Sequence, residues 1–190
     1  MPTESIREFY NSLHHIPSEE WDKITPLFKP KTYKKNDFFI QAQEIPLQFG
    51  IILSGAFRLY YIDDKGKEWV KSFRTDSQLV GTYAEILQQV PSRTFVQALT
   101  DAEILIINAH DFMKYTEDKL CWQILLRKIA EWHFIKKENR EYEFLKLSAA
   151  ERFENFKKEY ATAYQIIPDY HIASYLGITP QALSRLQNKN

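Results

Sequence analysis

The chain has 190 residues, 44% of them hydrophobic, with 25 Lys and Arg against 25 Asp and Glu and a formal net charge of zero. That length suits one domain or two small ones with real cores, and the charge balance excludes a nonspecific nucleic-acid coat while leaving room for a locally basic head on a neutral body. The single cysteine, Cys121, excludes an internal disulfide framework and a thiolate-ligated iron–sulfur cluster.

No apolar run approaches the length of a membrane span, and Met1 to Tyr10 is too charged for a signal peptide. A cytoplasmic location and no membrane partner are the default expectations. The first element is helical, because Ile6, Phe9, Tyr10 and Leu13 repeat at helical spacing. A second helix starts near Pro17, with Ser18 as its expected cap.

The pattern then changes to short β-like runs at 37–40, 49–53, 56–61, 68–73, 94–98 and 103–107. Turn signals separate them at Lys35-Asn36-Asp37, Ser54-Gly55 and Asp63-Asp64-Lys65-Gly66. Many short strands at this spacing indicate an antiparallel sandwich or barrel. A helical period returns after Asp111, and no Pro or Gly interrupts the chain from about Glu117 to Leu145. Trp122, Leu125, Leu126, Ile129, Trp132 and Ile135 form an apolar stripe on this long helix. Its length exceeds what is needed to cap a small barrel. The stripe is therefore read as a homodimer seam, with Trp122, Leu125, Ile129 and Trp132 at the interface.

Ser148 caps the next helix, which carries Arg152, Phe153, Phe156 and Tyr160. The last two dozen residues then read as two short helices pinned around a glycine. Ile172, Ala173 and Leu176 form the inward face of the first helix, and Gly177 can take the left-handed backbone of a tight turn. Ile178 plugs the turn, Thr179 caps the second helix, and Pro180 stands at its first position. Leu183 and Leu186 face inward, which leaves Gln181, Ser184 and Arg185 outward. This is the layout of a DNA-binding helix-turn-helix. An ordinary helical corner would share the glycine. The charge pattern favours DNA, since Ile172 to Asn190 holds no acidic residue while Arg185 and Lys189 are basic.

A β-roll, a long helix and a C-terminal helix-turn-helix, in that order, resemble the CRP/FNR family of bacterial transcription regulators. The resemblance runs from about Trp21 to Asn190. Tyr33 to Asp37, Ile51 to Gly55, Gly66-Lys67-Glu68 and Ala98 to Ala102 are similar to the turns of the family's roll, and the terminal segment resembles a Bacteroidetes-type subgroup. The resemblance implies an α+β chain in three parts. An antiparallel β-roll (jelly-roll) effector domain with N-terminal helices would span residues 1–116. A dimerisation helix would span 117–146, and a winged-helix-type helix-turn-helix 147–190. It also implies a homodimer on a pseudo-palindromic promoter site, in contact with RNA polymerase, and answering to an unidentified small-molecule effector.

The effector site departs from the family pattern. Cyclic-AMP binders carry Gly-Glu and, eleven residues after that Gly, an Arg-Ser pair. Gly81 matches the glycine and Ala98 the alanine that ends the motif, with no gap between. The Glu position is then Thr82, the Arg position Ser92 and the Ser position Arg93. With Tyr83 and Thr94 these residues define a degenerate effector pocket. A cyclic phosphate there would lack its bidentate arginine, and Arg93 points to the opposite strand face. Where the best-known members have Arg-Glu after the cap of the reading helix, this chain has Pro180-Gln181. Gln181 suits adenine and Arg185 guanine. Thr179 and Lys189 are left for phosphate.

Other classes fit less well. A cupin-type metal enzyme needs clustered histidines and carboxylates, yet no histidine or cysteine lies between Ile16 and Ala109. Hydrolase and phosphate-loop signatures are absent. A haem-based gas sensor stays open, because one axial histidine would suffice, but nothing points to it. No enzyme activity, catalytic residue, metal or cofactor is therefore expected. The competing expectation is a degenerate member that senses a ligand or a partner without specific DNA binding.

Overall fold

The computed structural model describes residues 4–188. Two four-stranded antiparallel sheets face each other. The first runs in the order β1 (Lys29–Tyr33), β8 (Ala102–Asn108), β3 (Gln48–Ser54), β6 (Leu79–Val80). The second runs β2 (Phe38–Ile40), β7 (Phe95–Ala98), β4 (Phe57–Ile62), β5 (Glu68–Arg74). Tyr33, Phe39, Ile52, Phe57, Val80, Val96 and Ile104 fill the space between them. The alternation of strands β3, β4 and β7 directs these side chains inward.

Two strands escape the sequence pattern. β1 reads Lys-Pro-Lys-Thr-Tyr, with only Tyr33 buried. It is an edge strand, so Pro30 costs no ladder bond on its outer side. β6 has two residues, too few to show a period. One helix, α3 (Tyr83–Gln88), goes unpredicted, and the helical stretch expected after Asp111 opens with a separate helix, α4 (Ala109–Thr116). Asn108 caps α4 by accepting from the His110 and Asp111 N–H groups.

Around the roll, α1 (Glu4–Leu13) and α2 (Ser18–Ile24) pack with α4 and the start of α5 (Leu120–Lys146). Ile6, Tyr10, Trp21, Phe49, Ile107, Phe112, Trp122 and Leu125 make this second core. Trp21 and Trp122 meet edge to face at 5.0 Å. Ser18 is the first residue of α2 rather than its cap, a place taken by Pro17 without a side-chain bond. α5 starts at Leu120, and its 27 residues span about 40 Å at the helical rise. Trp122 and Leu125 are both 2% exposed within the chain's own core, and Ile129 packs against it. Trp122 and Leu125 are therefore covered within the single chain and not free for a seam, and Ile129 is partly covered. They anchor α5 to its own roll. No helix among the described residues is long and apolar enough to cross a membrane.

The C-terminal unit is α6 (Ala149–Glu159), α7 (Asp169–Leu176) and α8 (Pro180–Gln187). Ser148 and Glu151 form a reciprocal capping box at α6. The expected wing is missing, because no strand follows Asn108 among the described residues. This unit does not float on a linker. Phe153, Phe156, Tyr160, Ile172, Tyr175, Leu176 and Leu183 share a third core with Tyr60, Val70 and Phe73 of the roll. α7 lies along β5, an edge of its sheet. The Val70 N–H donates to Ser174 Oγ (3.0 Å), and that hydroxyl donates to the Glu68 carbonyl (3.0 Å). Arg140 of α5 donates to the carbonyls of Val70 (3.3 Å) and Tyr175 (3.0 Å). Edge groups that would otherwise recruit another strand are thus satisfied within the chain.

Beneath α7, Arg58 is 6% exposed and pairs with Glu68 through two nitrogens. It also donates to Gln97 Oε1 (2.7 Å from Nη2) and meets His171 Nδ1 at 3.0 Å. Arg58 can only donate, so His171 accepts at Nδ1 and is neutral. Burial, and then the charge of Arg58, push the His171 pKa down to about 4, against the opposing pull of Glu68. A depressed histidine stabilises the fold above its unfolded value near 6.5 and loses that contribution as pH falls towards 4. Thermal melts should therefore drop between pH 7 and pH 4.5. His171→Gln, which keeps an acceptor without a titrating ring, should show a shallower drop. An equally steep profile in the variant would remove His171 as a contributor.

Candidate nucleic-acid interface and ligand cleft

α7 and α8 form a helical pair around Gly177, whose φ is +68°. That backbone suits glycine, and a Cβ there would lie 2.9 Å from Phe144 Cε1. The Gly177 N–H bonds back to the Ser174 carbonyl and the Ile178 N–H to the Ala173 carbonyl, which closes the end of α7. Thr179 caps α8, its hydroxyl accepting from the Ala182 N–H at 3.2 Å, with Pro180 at the first helical position. Leu183 is fully buried, whereas Gln181, Ser184 and Arg185 are exposed. Arg185 lies back along its helix, its Nε donating to the Gln181 carbonyl at 3.3 Å. Gln187 ties α8 to Asp169 (3.0 Å). Lys189 lies outside the described residues.

The second site is a cleft of about 740 Å³ between the roll and α5. One part of its lining is apolar, with Trp21, Phe28, Phe49, Phe112 and Leu125. Another part is cationic, with Lys71 and Arg74 from β5 facing Lys136, Lys137 and Arg140 from α5. Of the six expected pocket residues, Gly81, Thr82 and Tyr83 line this cleft, and Ser92, Arg93 and Thr94 do not. Gly81 has φ +149°, and a Cβ there would stand 3.0 Å from Phe49 Cβ. Ser92 is wholly buried and spent on its own turn. Its hydroxyl donates to the Thr94 carbonyl (2.8 Å) and accepts from the Thr94 N–H (3.1 Å). Arg93 is exposed. The cyclic-phosphate position therefore offers no buried cation.

Sequence reasoning missed the cationic end because it depends on a β-bulge. Leu59 pairs with Ser72 and Tyr60 with Val70, so Lys71 is the unpaired extra residue of β5. The bulge brings Lys71, Ser72 and Arg74 to the same cleft, while Val70 and Phe73 pack under the C-terminal unit. Ser72 Oγ and Thr82 Oγ1 are buried without a hydrogen-bond partner. His133 also lines the cleft, and burial, then Arg74, Lys136 and Lys71, push its pKa down to about 4. Among the described residues no group of three or more histidine, cysteine or carboxylate side chains could hold a metal.

Residues 30–119 match the family model of the cyclic nucleotide-binding domain. No curated protein sequence matches the chain. Among solved structures, the chain is similar to FixK2 from Bradyrhizobium japonicum, at 18% identity with a TM-score of 0.73, over 85% of this chain and 83% of that one. It is also similar to a CooA mutant from Carboxydothermus hydrogenoformans (18%, TM-score 0.71, 100% and 85%). The catabolite activator protein of Thermus thermophilus follows at 16%, TM-score 0.59, over 93% and 84%. The chain thus shares the fold of CRP/FNR-type regulators: a roll matching the cyclic nucleotide-binding domain, a long helix and a helical C-terminal unit.

Proposed function

We propose that this protein is a sequence-specific DNA-binding transcription regulator of the CRP/FNR type that acts as a homodimer and does not answer to cyclic AMP. The observation that carries the reading is the α7–α8 pair, with Leu183 inward and Gln181, Ser184 and Arg185 outward around the Thr179 cap. A helix with this exposed polar face suits the major groove, and the Gln181 N–H in its first turn suits a phosphate. Gln181 and Arg185 are assigned to bases, Ser184 to the same face, and Thr179 and Lys189 to phosphate. Contact with RNA polymerase belongs to the same reading and is carried by the family resemblance.

The dimer is assigned to the outward face of α5 in place of the stripe expected from sequence. Leu120, Ile124, Phe134, Tyr142 and Leu145 recur at steps that keep them opposite Trp122, Leu125 and Ile129, with Ile135 beside them. Leu120, Phe134, Ile135, Tyr142 and Leu145 are each more than half exposed. A second copy of α5 suits this face, because these large apolar side chains lie along one side of the helix and stand exposed within the single chain. Trp132, 45% exposed, lies on the side of α5 nearer Leu125.

Three outcomes test this reading. Arg185→Ala should change the site selected from a random DNA library and cost about 1–3 kcal/mol on the wild-type site. Unchanged selection at undiminished affinity would leave the alternative, a sensing module without specific DNA binding. Light scattering should give twice the chain mass for the wild type and a smaller mass for Ile135→Glu, since an unpaired charge in the seam is costly. A monomeric wild type would reject the seam. Calorimetric titration with cyclic AMP should give no heat at micromolar concentration, because Thr82 and Ser92 replace both anchoring groups. Saturable binding would contradict it.

A further inference from the structure

The cationic end of the cleft is unusual in its accounting of charge. Five cationic side chains line the cleft with two carboxylates, Glu85 and Glu141. Lys136 is paired outside it with Glu159, and Arg140 donates to backbone carbonyls. Arg74 donates only to the Phe73 carbonyl (2.9 Å) and has no carboxylate within ion-pair distance among the described residues. Burial lowers its pKa, against the opposing pull of Tyr160, Glu159 and Tyr175. The contact recorded for Lys71 is a long one, 5.4 Å over the Tyr61 ring. The hydroxyl between these two cations in sequence, Ser72, is 7% exposed and unpartnered. A half-buried cation with no carboxylate at ion-pair distance and a buried hydroxyl with no partner each cost free energy in the empty protein. An anion placed there would offset both costs.

We propose that the cleft binds a small organic anion, with its phosphate or carboxylate held by Lys71, Ser72 and Arg74 of β5 and by Lys137 and Arg140 of α5, and its apolar body in the aromatic end. This rests on the reading of the cleft as the effector site. It assigns the charge to positions other than Ser92 and Arg93, neither of which lines the cleft. The volume, about 740 Å³, falls within the range of small-molecule sites, and the mix of apolar walls with a few convergent polar groups is theirs too. The ligand would also touch regulation directly. Arg140 bonds the Tyr175 carbonyl of α7, so an anion that draws on Arg140 acts on a side chain that holds the reading unit to the roll.

Isothermal titration calorimetry with 1-naphthyl phosphate, and in a second arm 1-naphthoate, tests the site on the full chain without DNA. Saturable binding of one molecule per chain is expected in at least one arm, and which arm binds identifies the anion. Arg74→Gln and Lys137→Gln should each weaken it about tenfold, the range of a charge-assisted hydrogen bond. Arg93→Gln should leave it unchanged. Lys137 is exposed, so its variant keeps the test open if Arg74→Gln fails to fold. Absence of binding in both arms, or binding lost in Arg93→Gln and kept in Arg74→Gln and Lys137→Gln, would overturn the proposal. Failure of the regulator reading would appear separately, as intact anion binding by a chain that selects no DNA site.

Discussion

Strand β5 is the last strand of its sheet, and its outer backbone groups must be satisfied or exposed. Here Ser174 and Arg140 satisfy them, and Val70 and Phe73 bury apolar surface under α6, α7 and α8. That one constraint fixes the helical unit to the roll. It also demands a desolvated Arg58, which Glu68, Gln97 and His171 surround. Breaking such a set by removing one partner leaves a buried charge uncompensated, which costs far more than the pair contributes. The orientation of α8, and hence of any reading face, follows from this dock.

The long helix makes that arrangement possible by changing character along its inward side. Its first half buries Trp122 and Leu125 against α1, α2 and α4. Its second half turns His133, Lys136 and Arg140 inward, where they line the cleft and reach β5, α6 and α7. A helix that packed only apolar groups inward could not hold a polar strand edge. The outward side then carries a separate set of large apolar residues, from Leu120 to Leu145. With apolar groups on both sides, periodicity alone could not say which side faces the roll. This is why the stripe at Trp122, Leu125 and Ile129 was expected at a seam and is found in the core.

Local signals were legible wherever backbone chemistry is dictated by one or two residues. Gly177, Thr179 and Pro180 specify the turn and start of α8, and Ser148 the start of α6. The strands with inward alternation were legible too, within a residue or two. What sequence did not reveal depends on partners distant along the chain. The edge position of β1, the bulge at Lys71 and the gathering of Lys71, Arg74, Lys136 and Arg140 are properties of pairing, not of spacing. The absence of Glu and Arg at Thr82 and Ser92 was readable. The cations on the other wall of the same cleft were not.

The end of α7 shows how closely these parts are joined. Its last carbonyls point at two arginines from different helices: Arg140 of α5 on Tyr175, and Arg152 of α6 on Leu176 at 3.1 Å. Cations at a helix C-terminus are favoured by the orphan carbonyls and the dipole. The Phe144 ring lies near both guanidiniums, 4.8 Å from one and 4.9 Å from the other, and against the position a Gly177 side chain would occupy. The turn between α7 and α8 is therefore held from outside by α5 and α6 as much as by its own glycine. Arg140 is at once a wall of the cleft, a cover for β5 and a cap for α7. Any change in the charge it faces in the cleft competes directly with its bonds to the other two. Charge in the cleft and the position of α7 and α8 are, on this geometry, terms of one electrostatic balance.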